Sequence, residues 1–221
     1  MSPVTEVVLL TLVPDADYAV ITESAQIMAQ QPGCLFVRTS RLLREPDRSY
    51  KVHYFIDWDS VDSHMAFARN KTVYGPFRAL VGTVMAGYAP PYHVVFEPYS
   101  LHVFDGVCMV GKMWFPPPRD GESGPSGEEK AGALKMFLDA SKAKGGLVDG
   151  RCGGGWSLED DIVYKGEKSR VSLFIVGWGS VEDCVRFRNS GEFREAVAGI
   201  EAVRGLRGLE ICVVDPEESV A

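Results

Sequence analysis

The chain has 221 residues and a formal net charge of −7 at pH 7, from 30 acidic and 23 basic side chains. This acidic balance provides no basic footprint, so nucleic acid and anionic membrane surfaces are excluded as expected partners. The longest apolar runs, such as residues 7–13, are too short to cross a bilayer. Five cysteines without CxxC spacing indicate reduced thiols, and they predict a cytoplasmic protein.

A strand that runs into a capped helix occurs twice in the sequence. Residues 50–58 alternate in period two, which is typical of a strand, and a helical stripe that includes His64 begins after Ser60. The same order recurs at residues 171–187. Three pairs of positions keep one constant offset between the copies: Trp58 and Trp178, Ser60 and Ser180, Phe67 and Phe187. The chain is therefore predicted to be a tandem repeat.

The first half follows a β-α-β-β-α-β order with a split second helix. Its predicted elements are a strand at 4–13, a helix at 18–31, strands at 35–43 and 50–58, a helix from residue 60, a short helix from Pro76 to about Met85, and a strand at 92–97. Pro76 is expected in the first turn of its helix, where a missing N–H is tolerated.

The second half repeats this order. Its predicted elements are a strand at 106–115, a helix at about 128–144, strands at 156–165 and 170–178, helices from Ser180, where Asp183 completes a capping box, and a strand at 210–215. Residues 116–127 are rich in Pro, Gly and Ser, so a mobile loop is predicted there. The glycines at 153–155 are likewise interpreted as a flexible loop. We expect the two halves to comprise residues 1–104 and 105–221.

This repeat, with the strand-end pattern Trp-x-Ser-x-x-x-His at residues 58–64, resembles the dimeric α/β-barrel superfamily, and within it the antibiotic-biosynthesis-monooxygenase-like families. The resemblance implies an α+β protein in which two ferredoxin-like halves pack sheet to sheet as an intramolecular barrel. Such a pseudo-dimer would need no second chain to fold, although higher assembly is possible. The superfamily includes cofactor-free oxygenases, polyketide cyclases, isomerases and haem-degrading enzymes.

The candidate site residues all lie in the first half. The catalytic candidates are His64, Tyr54, Tyr74 and Arg78, and the substrate-binding candidates are Trp58, His53, Phe77 and Tyr88. His64 ranks first because an imidazole titrates near neutral pH and suits a general base. The aromatic side chains offer stacking surface, and the hydroxyl and guanidinium groups can stabilise an oxyanion. No metal site is predicted, since the histidines show no ligand spacing.

The second half is expected to be a scaffold, because Cys184 stands where His64 stands and no histidine follows His102. The resemblance favours a cofactor-independent enzyme of secondary metabolism that removes a proton from a polyketide-like or aromatic substrate, most simply a monooxygenase with dioxygen as co-substrate. Cyclisation, dehydration, decarboxylation or isomerisation without oxygen is an alternative. A non-catalytic binding or stress-associated protein is another, and it predicts a side-chain-filled interior. Haem binding is a third, and it predicts a coloured protein.

Overall fold

The structure is a computed structural model that describes residues 3–42, 50–97, 99, 101–118 and 127–220. The strands are β1 (Val4–Leu12), β2 (Cys34–Leu42), β3 (Tyr50–Trp58), β4 (Met85–Phe96), β5 (Cys108–Phe115), β6 (Leu147–Ser157), β7 (Ile162–Tyr164), β8 (Glu167–Trp178) and β9 (Gly208–Val220). The α-helices are α1 (Ala19–Ala29), α2 (Val61–Arg69), α3 (Lys71–Gly82), α4 (Gly127–Ala143), α5 (Val181–Arg188) and α6 (Gly191–Glu201). Among the described residues, no helix is long and apolar enough to cross a membrane.

The chain divides into two compact units, residues 1–101 with 214–221, and residues 102–213. Each unit combines helices with antiparallel strands, which confirms the predicted α+β class and the ferredoxin-like element order. The division between residues 104 and 105, and the sheet-to-sheet packing of the halves, stay predictions.

The sheet of the first unit has the strand order β4, β1, β3, β2, followed by the last part of β9. All its neighbours are antiparallel, and the central register pairs Val8 with Tyr54. One face of β3 packs with apolar residues of α1, α2 and α3, among them Ile21, Phe67 and Val81. That face carries Val52, Tyr54, Ile56 and Trp58, as the period-two pattern predicted.

In the second unit β8 pairs with β5, β6 and β7, and the core contains Phe137, Phe174, Trp178 and Phe187. The two copies of the strand-helix corner match in detail. Trp58 stacks on Phe67 with ring centroids 6.0 Å apart, and Trp178 stacks on Phe187 at 5.1 Å. Both tryptophans are buried. The tandem repeat is thus confirmed at the level of packing.

The serine caps explain where the second helix of each copy begins. The hydroxyl oxygen of Ser60 accepts the backbone N–H of Ser63 at 3.2 Å, and that of Ser180 accepts the N–H of Asp183 at 3.1 Å. The Ser180 hydroxyl also donates to the Asp183 carboxylate at 2.8 Å. Each cap satisfies one of the N–H groups that a helix start leaves unpaired.

Five local predictions differ from the structure. The strand predicted at 156–165 is divided between the end of β6, which spans 147–157, and β7 at 162–164, and the glycines at 153–155 belong to β6 rather than to a loop. They pair with β8, and a Cβ at Gly154 would lie only 2.9 Å from the carbonyl oxygen of Leu173. Pro76 lies inside α3 rather than in its first turn.

The other two concern strand length. Strand β4 begins at Met85, where a helix was expected to end. Strand β9 extends from 208 to 220 rather than 210 to 215, because its last residues pair with β2. The predicted loop at 116–127 lies mostly outside the described residues, which resume at residue 127, the start of α4.

Candidate functional site

A cavity of about 270 Å³ lies within the first unit, between the sheet and its helices. Its apolar wall is formed by Val8, Leu10, Met28, Ile56, Phe67, Phe77, Val81, Met85 and Pro91. Its polar groups are Glu6, Tyr54, His64, Tyr74, Arg78 and Tyr88. An apolar space with a few converging polar groups is typical of small-molecule sites.

The strand and helix periods place these side chains. Glu6, Val8 and Leu10 alternate along β1, so all three face the same side of the sheet. On α3, Tyr74, Phe77, Arg78 and Val81 follow three- and four-residue spacing, which brings them to one face. His64 and Phe67 share a face of α2 for the same reason. The cavity is therefore a direct product of the local patterns in the sequence.

A chain of three ionisable side chains lies at one end of the cavity. His64 Nδ1 is 2.8 Å from His93 Nε2, and His64 Nε2 is 3.4 Å from Glu6 Oε1. The Trp58 indole N–H donates to Glu6 Oε2 at 2.9 Å. Glu6 and His93 are buried, and His64 is half-buried with its ring against Trp58.

The register of the sheet brings this chain together. Glu6 on β1 pairs with His93 on β4, so the two side chains emerge side by side from neighbouring strands. Helix α2 places the ring nitrogens of His64 within 3.4 Å of both side chains. Glu6 is the one charged residue in the apolar stretch 4–13, a signal that the sequence reasoning passed over.

Glu6, His64 and His93 are also the group of described residues that could hold a metal ion, with donor atoms within 4.8 Å of one another. However, the two contacts of His64 use different ring nitrogens, whose lone pairs point away from each other. The three side chains thus form a hydrogen-bonded chain rather than a set of donors around one point.

The other three catalytic candidates, Tyr54, Tyr74 and Arg78, differ in how deeply they are buried. Tyr54 is buried, and its hydroxyl lies 2.7 Å from that of Ser24. Burial raises the pKa of Tyr54 above its usual range despite this hydrogen bond, so its hydroxyl stays neutral at physiological pH. Tyr74 is half-buried, and Arg78 is exposed at the cavity rim.

Two of the four substrate-binding candidates line the cavity and two do not. Phe77 and Tyr88 line the cavity, and the Tyr88 side chain is 60% exposed. Trp58 lies behind the cavity wall, where it holds Glu6. His53 is buried on the opposite face of β3 and stacks on Phe55 at 5.6 Å, so the structure does not bring it to the cavity.

Among its described residues, the second unit carries no such polar chain at the equivalent positions. In the register, Met109 pairs with Val176 as Glu6 pairs with Ile56, so a methionine takes the place of the carboxylate. Cys184 takes the place of His64 within the core, and burial raises the pKa of its thiol to about 12. Among the described residues, the indole nitrogen of Trp178 has no hydrogen-bond partner, unlike that of Trp58.

No protein-family model and no curated protein matches this chain. Solved structures do. An anthrone oxidase-like protein is 13% identical, with a TM-score of 0.65 and coverage of 100% of this chain and 93% of its own.

Two proteins provisionally assigned as monooxygenases are each 9% identical. The one from Fusobacterium nucleatum has a TM-score of 0.56 and coverage of 99% of this chain and 94% of its own. The one from Lactobacillus acidophilus has a TM-score of 0.54 and coverage of 100% and 97%. At such identities these structures show the fold alone, and it is the fold that the resemblance to the dimeric α/β-barrel superfamily predicted.

Proposed function

We propose that the chain is an enzyme that removes a proton from a small, largely apolar substrate held in the cavity of the first unit. The observation that carries this proposal is the Glu6–His64 pair at the wall of an otherwise apolar space. A general acid or base must lie within hydrogen-bond reach of the proton that it moves, and both groups line the cavity. The open cavity also argues against the non-catalytic alternative in the form that predicts a side-chain-filled interior.

The lining favours a flat aromatic or polyketide-like substrate. Phe67, Tyr74 and Phe77 contact one another with ring centroids 5.2 to 5.9 Å apart and form an aromatic wall. Rings of this kind stack on or edge against aromatic ligands. The Arg78 guanidinium and the Tyr74 hydroxyl can donate to a carbonyl or phenol oxygen as negative charge develops on it.

The reaction that we propose is a cofactor-independent monooxygenation. Once its C–H bond is broken, an anthrone or related phenol becomes an electron-rich enolate that can reduce dioxygen directly. One oxygen atom then enters the product as a new carbonyl and the other leaves as water, so no external reductant is required. The name of the anthrone oxidase-like neighbour agrees with this substrate class.

The same pair would also serve a cyclase, dehydratase, decarboxylase or isomerase, and oxygen consumption separates these alternatives from the oxygenase. The test is to incubate the protein with anthrone in air and under argon, and to follow oxygen uptake and the product absorbance. We expect turnover in air alone. His64→Ala should lower the rate by about 10²- to 10⁴-fold, the usual contribution of an acid-base group.

Cys184→Ala is the matched control because Cys184 occupies the equivalent position in the second unit, and it should retain the rate. Full activity in His64→Ala would exclude this site. Anaerobic conversion of the substrate to a cyclised or isomerised product would replace the oxygenase by one of its alternatives.

A further inference from the structure

We infer that Glu6 is the group that accepts the proton, and that His64 is the donor that stabilises the resulting substrate anion, held in its tautomer by His93. This division of roles rests on the proposed function and deepens it. It differs from the simplest expectation for His64, in which a free imidazole nitrogen acts as the base.

The separation between the two imidazoles fixes where protons can be. At 2.8 Å, His64 Nδ1 and His93 Nε2 must share a hydrogen bond, because two lone pairs at this distance would repel each other. Either His64 donates from Nδ1, or His93 donates from Nε2. The choice between these two tautomers depends on what lies at the other nitrogen of His64.

The carboxylate of Glu6 determines which of the two tautomers His64 adopts. His64 Nε2 faces Glu6 Oε1 at 3.4 Å, in surroundings where both groups are largely removed from water. A bare nitrogen lone pair beside a carboxylate oxygen is unfavourable, whereas an N–H directed at it is favourable. His64 therefore carries its proton on Nε2, and the N–H of His93 completes the chain. In this state His64 has no free lone pair with which to act as a base.

Glu6 is suited to the vacant role. Its Oε2 is fixed by the Trp58 N–H at 2.9 Å, which orients the carboxylate while Glu6 lines the cavity. The 3.4 Å distance from Oε1 to His64 Nε2 exceeds the usual 2.7–3.2 Å of an N–H···O hydrogen bond. Glu6 therefore holds the His64 proton weakly, and a substrate oxygen in the cavity beside both groups can accept a hydrogen bond from it.

The C–H bond of the substrate breaks, an O–H bond forms on Glu6, and the electron pair remains on the substrate as an enolate or phenolate. The anionic oxygen accepts a hydrogen bond from the Nε2–H of His64. His93 keeps its own proton and acts as a positioning residue, since it is held behind His64 and is not part of the cavity lining.

The first arm of the test needs no substrate. In ¹⁵N-labelled protein at neutral pH, correlations between the ring protons and ring nitrogens report which imidazole nitrogens carry protons, and His64→Gln assigns the signals. We expect Nε2 of His64 to be protonated. A bare Nε2 would overturn the inference, because His64 would then be the available base.

The second arm isolates proton transfer from oxidation. Anthrone is incubated with the protein in D₂O under argon, and mass spectrometry follows deuterium exchange at its acidic carbon. Glu6→Gln should slow exchange by about 10²- to 10⁴-fold. Asp62→Asn removes an exposed carboxylate from the helix that carries His64, and it should have no effect. Undiminished exchange in Glu6→Gln would overturn the inference.

The role of His93 is tested by two replacements of similar length. His93→Leu removes the donor to His64 and should slow exchange about tenfold, the effect of one lost hydrogen bond. His93→Gln retains an N–H donor and should recover most of the rate. Equal rates in the two variants would show that His93 only fills space. If the wild-type protein fails to exchange anthrone, the proposed substrate class is wrong, and the spectroscopic arm still decides the tautomer of His64.

Discussion

The ion pair between Arg38 and Asp57 offers a quantitative test of the first unit. Arg38 Nη1 lies 2.7 Å from Asp57 Oδ2, and both side chains are almost completely buried. The hydroxyl of Thr5 donates to the other carboxylate oxygen at 2.6 Å. The pair joins β1, β2 and β3 on the sheet face opposite the cavity, so its loss should affect stability rather than the acid-base chain.

Asp57→Asn keeps the shape of the side chain but leaves the Arg38 cation without its buried counter-ion. Removing one partner of such a pair typically costs about 3 to 5 kcal/mol. This is a large share of the roughly 5 to 15 kcal/mol that stabilises a typical protein. Urea unfolding followed by tryptophan fluorescence and circular dichroism measures the change in the free energy of unfolding.

The control is the double variant Asp57→Asn with Arg38→Met, which removes the cation as well. The double variant no longer contains an uncompensated buried cation, so it should recover most of the loss. A loss below about 1 kcal/mol in Asp57→Asn would refute the reasoning, since that is the range of exposed ion pairs. Failure of the double variant to recover would point to the Thr5 hydrogen bond or to packing as the stabilising contribution.

Two further predictions concern the second unit. Burial raises the pKa of the Cys184 thiol to about 12, so at about pH 8 only roughly one molecule in 10⁴ carries a thiolate. Mass spectrometry after iodoacetamide treatment should therefore find Cys184 unlabelled in the native protein and labelled in urea. Equal labelling under the two conditions would contradict its burial. A Cβ at Gly111 would lie 2.0 Å from the Phe174 ring, so Gly111→Ala should cost about 1 to 3 kcal/mol in urea unfolding. Gly132→Ala in helix α4 should instead gain about 0.5 to 1 kcal/mol, because among the described residues no atom beyond its chain neighbours and its own helix backbone lies within 4 Å of the new Cβ. Similar losses in the two variants would argue against the clash.

Much of the fold could be predicted from the sequence because its signals are local. The period-two pattern of residues 50–58 and the serine caps at Ser60 and Ser180 depend on near neighbours in the chain, and all were confirmed. The glycine-rich part of β6 was missed because glycine lacks the side chains that produce an alternating pattern. Its strand conformation comes from pairing with β8, which is a tertiary effect.

The site divides in the same way. His64, Tyr74, Phe77 and Arg78 were selected from helical and strand spacing, and the structure places them around one cavity. Glu6 was missed because a buried strand is recognised by its apolar residues, and a single carboxylate does not disturb that pattern. The role of His93 depends on its register opposite Glu6 across β1 and β4. Register between distant strands cannot be derived from the spacing within either one.

The last prediction concerns the missing polar chain of the second unit, where Met109 and Cys184 stand in place of Glu6 and His64. Met109→Glu alone should cost about 3 to 5 kcal/mol, because it places a carboxylate in the apolar core of the second unit. Cys184→His alone should cost about 1 to 3 kcal/mol through overpacking. If the backbone of the second unit retains the geometry of the first, the two new side chains should pair as Glu6 and His64 do.

The double variant should therefore lose less free energy of unfolding than the two single variants lose together. The difference should be about 0.5 to 3 kcal/mol, the usual coupling energy of contacting residues. Urea unfolding of the four proteins measures this coupling. If the loss in the double variant equals the sum of the two single losses within about 0.5 kcal/mol, the new Glu and His side chains do not contact each other. In that case the equivalence of the two strand-helix corners would extend to Trp178 and Phe187 but not to the positions that carry the chemistry in the first unit.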